Sequence, residues 1–151
     1  MYLSEHINKQ KYEAIIFFGI GGSQLGPELI QQALCYNKNK KIVFITGSDP
    51  LEAELKTKGL DLDACAFILA SKSFSTIETL KSFELVTQKA HMQNTYAITS
   101  NMAGAEAFGV SRKNILTFSE ATGGRFSIWS PINLLFLIQL GEVAIEEFYL
   151  G

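Results

Sequence analysis

Three short stretches carry residue types suited to holding an anionic, oxygen-rich ligand. Ser71-Lys72-Ser73-Phe74-Ser75-Thr76 places four hydroxyls and one ammonium within six residues, between an apolar run and a helix-forming segment. A strand that turns into a helix there aims backbone N–H groups and the positive end of the helix dipole at one point, an arrangement suited to phosphate. An ordinary turn explains part of the pattern, with Ser75 capping the helix and Glu78 completing a capping box. Capping uses only one hydroxyl, so the stretch reads as an anion cradle as well as a turn. Gly19-Ile20-Gly21-Gly22-Ser23 lets the backbone approach a ligand closely. Gly123-Gly124-Arg125-Phe126-Ser127 offers a guanidinium, a fixed fork of donors for a developing oxyanion. Taken singly, the last stretch is a tight turn with a surface cation.

Other chemistries fit poorly. The glycine turn follows a strand and precedes a helix, but Gln24 stands where a dinucleotide fingerprint needs its third glycine. Thr46 and Gly47 close the second strand where an acid would be needed. No Gly-Lys-Ser/Thr tripeptide marks a P-loop. Cys35 and Cys65 match no metal or disulfide spacing and read as reduced thiols. The sequence thus calls for no cofactor and no metal. His6 has no partner motif, and His91 is expected as a solvated residue near a helix C-terminus. Glu120 lies close to Arg125 and reads as a paired or solvated carboxylate. No acid and base are placed for proton transfer.

The elements that must position these residues alternate regularly. Ala14 to Phe18 is an apolar strand, followed by a helix from Gln24 to Tyr36 with Leu25, Leu29, Ile30 and Ala33 on one side. Lys41 to Thr46 is a second strand, and Asp49 with Pro50 starts the next helix. A third strand, Cys65 to Ala70, leads into a helix from about Thr76 that carries Leu80, Phe83, Val86 and Ala90 on a stripe. Tyr96 to Thr99 is the fourth strand, Ser100 or Asn101 caps Met102 to Phe108, and Asn114 to Phe118 is the fifth strand. Ser130 caps an apolar helix from Pro131 to Leu140, and Glu142 to Leu150 is helical. Strands alternating with helices predict an α/β fold: a five-stranded parallel sheet in a doubly wound, three-layer α/β/α sandwich. Ligands of such sheets sit beyond the carboxyl ends of the strands, where the glycine-rich and hydroxyl-rich turns fall.

The length of 151 residues fits one domain, residues 1–151, and 47% apolar against 19% charged residues excludes a disordered chain. A net charge of −2 gives no basic field for nucleic acid. The longest apolar segment, Ile128 to Leu140, is interrupted by Ser130, Asn133 and Gln139, so no membrane span is expected. The polar N-terminus has no signal-peptide pattern, and a cytoplasmic location is expected. The chain stops at Gly151 without a polar tail, which reads as a cut end.

Gly19 to Pro27, then Ser71 to Thr79, then Gly123 to Ser130 together resemble the phosphoglucose isomerase family, in the right order over nearly the whole chain. The resemblance implies a sugar-isomerase (SIS) fold and an isomerase of glycolysis and gluconeogenesis that interconverts glucose 6-phosphate and fructose 6-phosphate. It further implies that Ser71, Lys72, Ser73 and Thr76 hold the sugar phosphate, that Gly22 and Ser23 line the sugar, and that Arg125 stabilises the enediolate. Ser73 stands where the family often has Thr, and Asn133 where it often has Gly. The family's proton-transferring glutamate and its further histidine and lysine find no match. The resemblance therefore implies an N-terminal piece of a longer, two-domain, homodimeric enzyme, inactive by itself. A non-catalytic sugar-phosphate-binding regulatory module and another sugar-phosphate isomerase are the alternatives.

Overall fold

The structure is a computed structural model that describes residues 2–35 and 40–151, without the side chains of Tyr2, Gly124 and Arg125. Five strands, β1 (Ala14–Phe18), β2 (Lys41–Ile45), β3 (Cys65–Ala70), β4 (Thr95–Thr99) and β5 (Ile115–Thr117), pair in the order β2-β1-β3-β4-β5. Every pairing is parallel, with Ala14 opposite both Lys41 and Cys65. β1 and β3 are apolar along their whole length because both faces of the sheet are covered.

Alternation along the strands sends side chains into two cores. Ile15, Phe17, Ala66, Ile68, Tyr96 and Ile98 meet α1 (Tyr2–Lys9) and α6 (Leu134–Leu140) on one face. On the other, Ile16, Phe18, Phe67, Leu69 and Ala97 meet α3 (Pro50–Thr57), α4 (Ile77–Val86) and α5 (Met102–Phe108). Phe83 of α4 sits edge-on to Phe18 and Phe67, with centroids 5.5 and 6.2 Å away. α2 (Gly22–Leu34) packs on the α6 side through Ile30 and Phe136, and α7 (Glu142–Leu150) adds Phe148 to that cluster. The expected doubly wound α/β architecture is present. Among the described residues no helix is long and apolar enough to cross a membrane.

Three local expectations need correction. Of the expected α2 stripe Ile30 is buried, but Leu25 and Leu29 are 64% and 63% exposed and Ala33 is exposed, while Gln24 and Pro27 are buried with Ile30. The helix turns this way because Gly26 lies against Ile128, where an added Cβ would stand 3.3 Å from the isoleucine Cβ. The expected end of this helix, Tyr36, lies outside the described residues. His91 is not solvated: it is buried and stacked on Phe67 at 5.2 Å. The helix ends at Val86, and a 3-10 turn, Lys89–Asn94, folds the imidazole back. Its Nδ1 accepts the Gln88 N–H at 3.0 Å, so in the neutral ring Nε2 carries the proton and donates to Asp63 Oδ1 at 3.0 Å. Finally, the α4 cap position belongs to Thr76 rather than Ser75, and the Thr76 side chain makes no capping bond.

The corrected face of α2 can be tested in the 151-residue chain. Ile30→Ala should lower unfolding free energy by about 2–4 kcal/mol, whereas Leu29→Ala should change it by less than about 0.5 kcal/mol. Urea denaturation of both variants decides, and equal losses would refute the assignment.

Candidate functional site

Two polar loops leave the carboxyl ends of neighbouring strands. After β1, Gly21 adopts φ +54°, a left-handed turn that glycine makes without steric cost, and α2 begins at the next residue. After β3, the Ser71 N–H still donates to Ile98 O at 3.1 Å, extending the ladder by one bond before the chain turns. Phe74 N–H then closes a turn onto Ser71 O at 3.2 Å, with Phe74 itself at φ +51°. The Phe74 side chain is buried against Phe108, centroids 5.7 Å apart, which fixes a conformation that a bulky residue does not choose in isolation.

Thr76 stands at the N-cap of α4, yet its hydroxyl lies 2.9 Å from the Ser71 hydroxyl. The first-turn N–H groups of α4 therefore keep their positive face without a side-chain cap. Ser73 and Ser75 hydroxyls are bonded to each other at 2.7 Å on the exposed rim.

An open cavity of about 480 Å³ lies in front of this helix start, with Ser23, Lys72, Ser73 and Thr76 on its wall. Ser100, Asn101 and Glu120 complete the lining. A smaller cavity of about 110 Å³ adjoins it through Ser23 and Lys72 and reaches Gly22, Gly123 and Ser127. Lys72 Nζ lies beside Gly123, where a Cβ would stand 3.7 Å away. The lysine thus joins the hydroxyl-rich loop to the Gly123 turn.

That turn is a 3-10 segment, Gly124–Trp129, docked on α2. Ser127 Oγ donates to Gly22 O at 2.6 Å, and Asn133 Nδ2 donates to Ile128 O. The buried Asn133 therefore braces the turn. Arg125 belongs to this segment, but its side chain is outside the described residues.

Six of the residues expected from sequence are placed by the structure. Ser23, Lys72, Ser73 and Thr76 share one cavity, and Gly22 borders the smaller one. Ser71 is buried, 3% exposed, and reaches the cavity only through its bond to Thr76. Ser100 and Asn101 were expected only as helix caps. Their position after β4, next to β3 in the sheet, is the signal that brings them into the lining. The assembly offers an ammonium, hydroxyls and helix-end N–H groups to an anion, with one carboxylate, Glu120, at the edge.

The sequence and the fold lead to the same relatives. The family model described as phosphoglucose isomerase matches residues 6–151. Glucose-6-phosphate isomerase of Shewanella baltica is 38% identical over 138 residues, which cover 84% of this chain and 25% of the relative. The Pseudomonas fluorescens Pf0-1 enzyme of that name is 33% identical over 148 residues, 91% of this chain and 27% of the relative. The crystal structure of a glucose-6-phosphate isomerase from Chlamydia trachomatis superposes with a TM-score of 0.80 at 27% identity, covering 97% of this chain and 30% of that one. A hypothetical protein of Thermus thermophilus shares the fold, with a TM-score of 0.71 at 24% identity, covering 89% of this chain and 36% of that one. This chain spans about a quarter of the length of these curated relatives. With the match extending through both loops and the Gly123 turn, the chain belongs to the phosphoglucose isomerase family.

Proposed function

We propose that this chain supplies the phosphate site and the enediolate-stabilising arginine of an aldose-ketose isomerase that interconverts glucose 6-phosphate and fructose 6-phosphate. The observation that carries the reading is the start of α4, where the Thr76 hydroxyl turns to Ser71, the first turn has no side-chain cap, and Thr76 and Lys72 line one cavity. A phosphate dianion there meets the helix dipole, the ammonium, and the hydroxyls of Ser73 and Thr76 together. Ser71 acts behind them, orienting Thr76. Gly22 and Ser23 line the passage from the phosphate towards the Gly123 turn and suit the sugar chain.

The reaction moves a proton between C1 and C2 of the open-chain sugar. Negative charge develops on the adjacent oxygen in the transition state, and a fixed guanidinium stabilises it more than it stabilises the neutral ground state. Arg125 is assigned that role at the end of the substrate remote from the phosphate. Glu120 is not assigned as the base, which in this reading comes from outside residues 1–151. By its resemblance to the family the intact protein is a cytoplasmic homodimer. Single-domain continuity over residues 1–151 belongs to the same reading.

Two measurements test the roles separately. Lys72→Ala should weaken binding of 6-phosphogluconate about tenfold to hundredfold, the worth of one charged hydrogen bond, and leave gluconate binding unchanged. Equal losses for both ligands in calorimetry would make Lys72 structural. In the intact enzyme that supplies the base, Arg125→Ala should lower kcat about a hundredfold or more with a much smaller change in KM. An unchanged kcat removes Arg125 from the reaction.

A further inference from the structure

We infer that the carboxyl end of β4, Thr99-Ser100-Asn101, is the positioning element of the anion loop, and that Thr99, which does not line the cavity, sets its affinity for phosphate through the loop alone. The inference rests on reading Ser71–Thr76 as the phosphate anchor and deepens it.

The Lys72 carbonyl oxygen accepts from three donors of this one segment: Ser100 N–H at 2.9 Å, Thr99 Oγ1 at 2.9 Å and Ser100 Oγ at 2.7 Å. The next carbonyl, that of Ser73, accepts Asn101 Nδ2 at 2.9 Å. Two successive loop carbonyls are thereby drawn towards β4. A carbonyl oxygen facing the cavity would repel a phosphate oxygen. Held towards β4, each leaves the N–H of its own peptide on the opposite side, because no peptide here is cis. The Ser73 N–H lies on the peptide whose oxygen is triply held, and it donates to no group among the described residues. It is therefore available to an anion.

The element doing the holding is itself locked. Asn101 N–H donates to Thr99 Oγ1 at 3.0 Å, and Asn101 Oδ1 accepts the Gly104 N–H at 2.9 Å, capping α5. The far end of α5 supplies Phe108, which packs on Phe74. One short helix thus grips the loop twice, through its cap onto Ser73 O and through its last residue onto the left-handed Phe74. Thr99 is wholly buried and is not among the residues lining the cavity. It reaches a bound anion only by way of the loop.

Two variants of the full chain separate positioning from folding. Thr99→Val keeps the buried, β-branched shape and removes the donor to Lys72 O. Asn101→Ser keeps a hydroxyl able to cap α5 and removes the donor to Ser73 O. Each should weaken binding of glucose 6-phosphate and of inorganic phosphate by the same factor, roughly five- to tenfold, as expected for one hydrogen bond. Calorimetric Kd values are read beside the melting temperature, with Lys72→Ala as reference. If Lys72→Ala weakens phosphate binding but both variants retain the wild-type Kd, the inference is wrong and the phosphate reading stands. A lowered melting temperature with unchanged Kd makes the segment a helix cap alone and overturns the inference. Loss of no phosphate affinity in Lys72→Ala sinks the anchor reading and this inference with it. Should Thr99→Val fail to fold, Thr99→Cys, which fills the same buried space with a much weaker donor, takes its place, because Asn101 lines the cavity and its variant alone does not separate positioning from contact.

Discussion

The hydrogen bond between the Ser71 and Thr76 hydroxyls decides what the carboxyl edge of the sheet can do. A threonine at an N-cap ordinarily turns its oxygen back onto the first turn of its own helix, a bond worth about 1 kcal/mol. Here that oxygen is committed to the end of β3, and α4 begins with its N–H groups unfilled by any side chain. The helix does not depend on the cap for its place, because Phe83 is buried against Phe18 and Phe67 of the sheet. Packing about two turns further along thus stabilises an end that local chemistry leaves open. An open helix end beside a lysine is where an anion gains most and where burying one costs least.

Topology explains why the two loops face one another. After β1 the chain crosses to the face that carries α6, and after β3 it crosses to the face that carries α4. β1 and β3 are neighbours, so the loops leaving them diverge to opposite layers and open a crevice between them. Ser23 stands on one lip and Thr76 on the other, and Lys72 spans the gap to Gly123. The parallel register, with Phe18 beside Leu69, sets both lips at the same height.

Those features were legible in the sequence to the extent that they are local. The continuous apolar runs of β1 and β3, the Asp49-Pro50 start of α3 and the Met102 to Phe108 limits of α5 need only neighbours in the chain to be read. The buried face of α2 was legible only in part: Ile30 of the expected stripe is buried, but Leu25, Leu29 and Ala33 are exposed and Gln24 and Pro27 are buried in their place. Ile128, a hundred positions away, makes the choice by packing on Gly26. His91 was misplaced for a related reason: the contacts that bury it, Phe67 and Asp63, come from β3 and the turn before it. In the hydroxyl-rich loop, spacing alone points to Ser75 as the cap, whereas Thr76 holds that position. Nothing in the sequence says that Thr76 prefers Ser71 to its own helix. The lining by Ser100 and Asn101 follows from strand order, which becomes visible only once β4 is seen beside β3.

The two ends of the crevice differ in how far they are covered. The loop at Ser71–Thr76 continues a central strand, rests on the buried Phe74, and has its carbonyls held by β4. The turn at Gly124–Trp129 docks on α2, with Ser127 and Asn133 holding its backbone, while Phe126 and Trp129 remain 63% and 54% exposed. α7 covers Trp129 only in part, stacking Phe148 on it at 5.3 Å. In the proposed reaction this division is the useful one. An unreactive phosphate is best met by a rigid, preorganised site that spends its binding energy equally in ground and transition states. The group that answers developing charge needs dry surroundings to act strongly. The exposed aromatic side of the Gly124–Trp129 turn does not exclude water by itself. What lies over Phe126 and Trp129 therefore decides how dry this end of the crevice is, whereas the loop at Ser71–Thr76 is held within the sheet.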